Sequence, residues 1–439
     1  MKSYSIFIFD SYSFDHKTGR VELRYSLDDE VHFTETLQLP TEAPEATEAP
    51  EALFALHIIG GISYYKTCCP KTIEIRSGIL TQEQSNFWNT VYEKGLGEFW
   101  YKNGIDFSGM VKFPYSSVTL SPTIRQSSEQ APGDTGVMVR RAHHDIHILL
   151  PIGGGKDSIV TLETLRKQAA DITLFRMNSH PLISKIANVA DLPLLNIERT
   201  LDPQLFELNT HGALNGHIPI TCYLSCLCTV IAELYGFDRI AMSCEKSANE
   251  GNVEYRGQII NHQWSKSEEF EHMFQSYIQT FISPHLTYWS PIRNMTELEV
   301  VKEFIKYQQY FPYTTSCNKN WKILSEKNGG AMQHVRNANS AAWCNNCPKC
   351  AFVFALFAAY LPKEKVLEIF GENLFEKQQL IPTYRQLLGL EGFKPFECVG
   401  TPEETLEAFR LIRQRSEFTC HGELDESMTC LRHSSSGSE

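Results

Sequence analysis

Gly153-Gly154-Gly155-Lys156-Asp157-Ser158 carries the densest chemical signal in the chain. Three glycines let the backbone turn tightly and approach a ligand without a Cβ in the way. They follow a short apolar run at 147–152 and precede an apolar-periodic stretch, so strand, loop and helix start are expected in that order. The free N–H groups of a helix start suit a phosphate. Lys156 can add charge there and Ser158 can donate a hydrogen bond. Asp157 can hold a Mg²⁺ that bridges phosphates. A strand–helix turn with no ligand is the plainer alternative. A second signal is Cys344-x2-Cys347-x2-Cys350, with Cys317 upstream. Four thiolates can close a tetrahedral zinc site, and a closed site of this kind is structural. An iron–sulfur cluster fits the same spacing.

Weaker signals surround these two. His143, His144 and His147 precede the glycine loop and could bind a metal or only mark a strand entry. Cys222, Cys226 and Cys228 lie in an apolar helical stretch, as buried small hydrophobes or as a proton-transferring thiol. The polar run Asn261–Ser267 could bind substrate, supply a base, or be an exposed loop. Glu245, Lys246, Ser247, Ala248 and Asn249 follow the strand candidate 239–244. In a parallel sheet the C-terminal strand ends face the ligand crevice, which favours a functional role for that segment. Tyr64, Tyr65 and Lys66 close a helix, where aromatic core contacts are the default.

The elements that must hold these groups follow from local patterns. Residues 1–40 contain short β-rich runs, and the Pro/Glu-rich repeat at 41–52 reads as a solvated loop. Residues 116–136 are polar, with Pro and Gly, and make the best linker candidate. Beyond it, strand candidates at 147–152, 171–177, 192–198, 239–244 and 286–292 alternate with helical patterns, which implies a doubly wound parallel sheet. Thr296 and Glu299 form a capping box before a helix running to about Tyr307. The expected division is an N-terminal α+β domain at 1–140, a nucleotide-binding α/β domain at 141–310, and a helical, Cys-rich region at 311–439 with a frayed tail.

Composition narrows the class of function. The chain has 439 residues, 42% of them hydrophobic and 21% charged, which excludes a wholly disordered or fibrous protein. Its net charge of −12 and lack of a basic stripe argue against a nucleic-acid partner. The longest apolar run, Cys350–Leu361, is short of the ~20 residues that cross a bilayer, so a buried helix and no membrane partner are expected. The N-terminus lacks the pattern of a signal peptide. Thirteen cysteines then fit a reducing, cytoplasmic setting.

The glycine loop resembles the PP-loop of ATP pyrophosphatases, α/β proteins of HUP-like type, with Gly153 standing where those loops carry a Ser. More of the chain is similar to the MurL-type UDP-N-acetylmuramoyl-L-alanyl-L-glutamate epimerases. The matching stretches are HIIGGISYYK, LGEFWYKNGID, PIGGGKDS, NGHIPIT, SCEKSANEGN, NHQWSKS, TSCNKN and WCNNCPKC, from about residue 57 to 355. The resemblance implies an isomerase of peptidoglycan precursor synthesis that takes a UDP-muramoyl dipeptide and ATP. It would invert the terminal L-Glu through an adenylated carboxylate, with AMP and diphosphate released. In that scheme Gly153, Gly154, Gly155 and Ser158 cradle phosphate, Lys156 stabilises its charge, Asp157 holds Mg²⁺, and Glu245 and Lys246 face the nucleotide. The sequence leaves the proton-transferring base open among His262, His217 and Cys222; His suits the task because it titrates near neutrality. Two rivals remain: another PP-loop adenylating enzyme acting on a nucleobase or tRNA, and a non-catalytic nucleotide-binding module.

Overall fold

The structure is a computed structural model and describes residues 3–41, 48–116, 146–168, 171–317 and 342–418. His143, His144, most of the linker candidate and the C-terminal tail lie outside the described residues.

Three long strands open the chain: β1 (Ile6–Asp15), β2 (Arg20–Leu27) and β3 (Val31–Gln38). Helices α1 (Pro50–Gly60) and α2 (Ile62–Tyr65) follow, then β4 (Thr72–Ile75), α3 (Gln82–Gly95) and α4 (Gly97–Asn103). After 146 the alternation expected of an α/β fold begins. It runs β5 (His147–Pro151), α5 (Lys156–Arg166), β6 (Asp171–Met177), α6 (Pro181–Ala190), β7 (Leu194–Thr200), α7 (Pro203–Thr210), α8 (Ile220–Tyr235) and β8 (Arg239–Ala241). A small hairpin, β9 (Val253–Tyr255) and β10 (Gln258–Ile260), precedes α9 (Glu268–Phe281), β11 (Thr287–Trp289) and α10 (Glu297–Phe304). The remainder is helical: α11 (Pro348–Tyr360), α12 (Lys363–Phe370), α13 (Ile381–Leu387) and α14 (Pro402–Arg415).

Nine strands form one sheet in the order β11-β8-β5-β6-β7-β3-β2-β1-β4. The half from β11 to β7 is parallel throughout. The N-terminal strands extend that sheet: β3 pairs antiparallel with β7, joining Thr36 to Thr200 and Gln38 to Glu198. A buried ion pair pins this junction, with Arg199 Nε and Nη2 each 2.9 Å from a Glu35 oxygen. Tyr223 donates to the same carboxylate at 2.6 Å, so the buried charge is fully hydrogen-bonded, as its desolvation requires.

Apolar cores lie on both faces, as in a doubly wound sheet. Along β5 the side chains alternate: Ile148 and Leu150 join one cluster and Leu149 the other. On one face α8 packs against α1, β5 and β8 and shares a core with the N-terminal strands. On the other, α5, α6, α10 and α11 share a core. Residues 349–359 of α11 are buried all round, because this apolar helix packs against α10, α12, α13 and α14. Thr296 and Glu299 do form a capping box, and the helix they start ends at Phe304, three residues short of Tyr307. None of the described helices is long and apolar enough to cross a membrane.

Candidate active site

The glycine loop leaves the C-terminal end of β5 and enters α5. Gly154 has φ +78°, a conformation that an L side chain rarely adopts. Gly153 is exposed, and a Cβ there would meet nothing within 4 Å. Gly155 is the residue before α5, and no side chain caps the helix N-terminus. Its first N–H groups therefore keep their capacity for an anion. Ser158 is buried and its hydroxyl donates to the carbonyl of Gly155 at 2.9 Å.

A second segment backs this loop. Thr315 donates its backbone N–H to the Gly154 carbonyl at 2.9 Å. The Ser316 hydroxyl would lie 3.6 Å from a Cβ on Gly155. That oxygen is buried and has no hydrogen-bond partner among the described residues. Ser316 has no chemical signal of its own along the chain, since only folding brings it beside the loop.

Lys156 points inward. It is fully buried and pairs with both Asp157 and Glu297. Lys349 lies 3.8 Å from the other Glu297 oxygen. The charges of Asp157, Glu245, Glu297, Lys156, Lys266 and Lys349 thus act on one another across the floor of the loop. Burial, then the negative charges of Glu297 and Asp157, push the Glu245 carboxyl up to about 7. Burial would raise Asp157, yet Lys156 and Lys349 hold it below the usual carboxylate range, so it stays ionised. Lys246 is exposed and anchors its backbone N–H on the Met295 carbonyl at 2.9 Å.

The two histidine candidates lie together. The rings of His217 and His262 are 4.3 Å apart. Glu98 on α4 reaches both: it bonds His262 Nδ1 and sits 3.7 Å from His217 Nδ1. Burial, then the positive charge of His262, lower His217 to about 3 and leave it neutral. Burial works against charge on His262 too, but hydrogen bonds to Cys398 and Glu98 raise it to about 9. Lys66 holds the approach to His217 by donating to Asn215 Oδ1 at 2.7 Å and to the Gly216 carbonyl at 3.0 Å. Cys222 is elsewhere, wholly buried in α8, and burial followed by its neighbour Cys226 pushes its thiol far up. His147 sits at the start of β5, 3.1 Å from Thr173 Oγ1 and stacked on Phe237.

Cys398 and Lys266 complete the group. Lys266 Nζ is 3.5 Å from Cys398 Sγ. The Cys398 carbonyl accepts from Lys349, which ties this loop to Glu297 and so to Lys156. Sequence reasoning missed Cys398, Glu98 and Glu297 as site residues, for no motif of their own marks them.

The four cysteines converge as their spacing suggests. The sulfurs of Cys317, Cys344, Cys347 and Cys350 all lie within 4.8 Å of one another, and Cys344 and Cys350 are 3.7 Å apart. A tetrahedral ion with metal–sulfur bonds of about 2.3 Å has edges of about 3.8 Å, so the cluster can hold a metal.

The fold and site thus define an α/β protein with a glycine loop at the C-terminal end of a parallel strand, beside a four-cysteine centre. Residues 1–291 match the family description "MurL N-terminal domain" and residues 313–437 match "MurL C-terminal domain". A protein of Xanthomonas oryzae pv. oryzae named UDP-N-acetyl-alpha-D-muramoyl-L-alanyl-L-glutamate epimerase is 37% identical over 420 residues, which is 94% of this chain and 87% of that one. Relatives of the same name from Micromonospora sp. and Salinispora tropica are each 35% identical, over 95% of this chain and 89% and 86% of theirs. The chain belongs to the MurL family.

Proposed function

We propose that this chain is an isomerase that inverts the terminal L-Glu of UDP-MurNAc-L-Ala-L-Glu, in cytoplasmic peptidoglycan precursor synthesis, with ATP and Mg²⁺ consumed or required. The observation that carries the reading is the 35–37% identity with epimerases of that name over 94–95% of the chain. The loop supports the ATP part. Its backbone is open at Gly153, its helix start is uncapped, and Ser316 keeps a buried hydroxyl without a partner. Those are the features of a phosphate cradle. In this reading Ser316 supplies the hydroxyl that ordinary PP-loops carry where Gly153 stands.

The chemistry needs activation. The α-proton beside a free carboxylate is hard to remove, because a second negative charge must develop on the same group. Transfer of AMP to the α-carboxylate, with release of diphosphate, neutralises it. Each pKa unit gained at Cα removes up to about 1.4 kcal/mol from deprotonation. Gly153, Gly154, Gly155 and Ser158 would line the phosphates, and Asp157 would hold Mg²⁺, which neutralises phosphate charge when bound. Lys156 acts from beneath the loop by keeping Asp157 and Glu297 ionised and in place. Glu245 and Lys246 lie beside this floor at the end of the strand β8 segment. His262 and His217, gathered around Glu98, belong to the part of the site available for proton transfer, and proton removal followed by delivery to the opposite face would precede hydrolysis of the acyl adenylate. The four-cysteine centre suits a structural Zn²⁺, which would fix the wall of the loop.

The test is diphosphate release from ATP and Mg²⁺ with and without UDP-MurNAc-L-Ala-L-Glu, with chiral analysis of the glutamate. Substrate-dependent diphosphate together with D-Glu is expected, and Asp157→Ala should abolish both while the fold remains. Activity that survives this substitution overturns the assignment of the loop. Diphosphate without D-Glu would point instead to another adenylated substrate.

A further inference from the structure

We propose that Cys398, held as a thiolate by His262 and Lys266, exchanges the α-proton of the substrate's terminal glutamate on one face. The inference rests on the epimerase reading above and adds to it the group that does the proton transfer.

The geometry is that of an activated sulfur. Cys398 Sγ is 3.5 Å from the Lys266 ammonium, and the His262 imidazole acts on the same sulfur. His262 is in turn oriented by Glu98 through Nδ1. Thiol, imidazole and carboxylate follow the order in which a base is positioned by a third group. The supporting loops are tied to one another. Asn252 Oδ1 accepts from the His262 backbone N–H at 2.7 Å, and its amide donates to the carbonyls of Lys394 and Pro395, four and three residues before the thiol. Gln263 donates to the carbonyl of Val399 just beyond it. The Thr401–Glu404 capping box then starts α14.

Access and connection set this thiol apart. Cys69, Cys222, Cys226, Cys228 and Cys244 are buried, whereas Cys398 keeps a small part of its surface open. Cys68 is also partly open, but burial raises its thiol. Burial would raise Cys398 as well; Lys266, the hydrogen bond from His262 and the charge of Lys349 overcome it and bring the thiol down to about 5. Lys394 and Glu397 are the other charged groups facing it. Lys349 also links the Cys398 carbonyl to Glu297, which pairs with Lys156 of the glycine loop. The loop that carries Cys398 and the glycine loop are therefore joined through one set of charged side chains.

The step balances without an added reagent. The Cα–H bond breaks, its electron pair enters the enolate of the acyl phosphate, and the proton forms an S–H bond at Cys398. Solvent water protonates the opposite face, and the hydroxide left behind takes the proton from Sγ. The thiolate is restored. In the reverse direction the same sulfur donates.

The experiment uses the full chain with ATP, Mg²⁺ and the dipeptide substrate in deuterated water. Cys398→Ser and Cys398→Ala should lower α-deuterium incorporation and inversion by roughly 10²–10⁴-fold, the span of general-base effects. A stoichiometric burst of diphosphate should persist in these variants, because adenylation precedes proton transfer. Inversion at the parental rate in either variant overturns the proposal. If the parent chain itself releases no diphosphate, the ATP reading fails, and the loss or retention of α-exchange still judges Cys398. Should the variants not fold, iodoacetamide labelling of the parent decides. Half-maximal labelling of the Cys398 peptide near pH 5, shifted upward in His262→Gln, supports the thiolate. Half-maximal labelling near the ordinary ~8.5 overturns it.

Discussion

The backbone N–H of Thr315 donates to the carbonyl of Gly154 at 2.9 Å. Two residues on, Cys317 is one of the four clustered thiols. Thr315 also ties its hydroxyl to the Ala342 carbonyl, next to the segment that carries Cys344. One short stretch therefore closes the four-cysteine centre and backs the glycine loop.

Metal removal should consequently be felt at the nucleotide. A chain stripped by chelation, or carrying Cys347→Ser, is expected to bind ATP about ten-fold more weakly or worse, equal to ~1.4 kcal/mol or more. Titration calorimetry on metal-loaded and stripped chains checks this, alongside metal analysis expected to find one zinc per chain. Equal ATP affinity in a stripped chain that keeps its fold would remove the link between centre and loop.

Ser316→Ala separates binding from stability. Its hydroxyl is buried without a partner among the described residues, so its loss should leave Tm nearly unchanged. A hydrogen bond to a charged phosphate contributes about 1.5–3 kcal/mol, which predicts roughly a ten- to hundred-fold rise in the Kd for ATP. A lowered Tm with unaltered Kd would mean that the hydroxyl serves the fold.

His57 predicts an acid limit on stability. It is buried against Tyr25, with ring centroids 4.8 Å apart, and Nε2 lies 3.0 Å from the Arg24 carbonyl. Burial lowers it from 6.5 to about 4. The unfolded chain thus binds the extra proton first, as pH falls below about 6.5. Stability should be full above that pH and decline down to about 4, by up to about 3 kcal/mol from this group. Urea midpoints at pH 7, 5.5 and 4.5 test it. His57→Gln should flatten the profile; an unchanged slope would assign the acid limit to other groups.

Much of the architecture was legible along the chain. The alternation from 147 onward reports the parallel half because each apolar run is short enough for a strand and each is followed by helical periodicity. Gly153–Ser158 reads as a strand–loop–helix because three glycines fit nothing else between those patterns. The thiols of Cys344, Cys347 and Cys350 announce themselves because ligands from one turn must be close in sequence. The attachment of β3 to β7 was not legible, since strand partners are chosen by packing and by the Arg199–Glu35 pair, contributed by residues 164 positions apart.

The chain by itself determined the strand–loop–helix at Gly153–Ser158 and the close spacing of Cys344, Cys347 and Cys350, both of which depend on neighbours in sequence. Tertiary structure alone decided that Lys156 turns inward to Glu297, that Ser316 meets Gly155, and that Cys398 meets His262 and Lys266. The reason is physical: a titratable group takes its charge from what surrounds it. Those surroundings arrive here from α4, the loop after β10, α11 and the segment before α14, which no local pattern brings together.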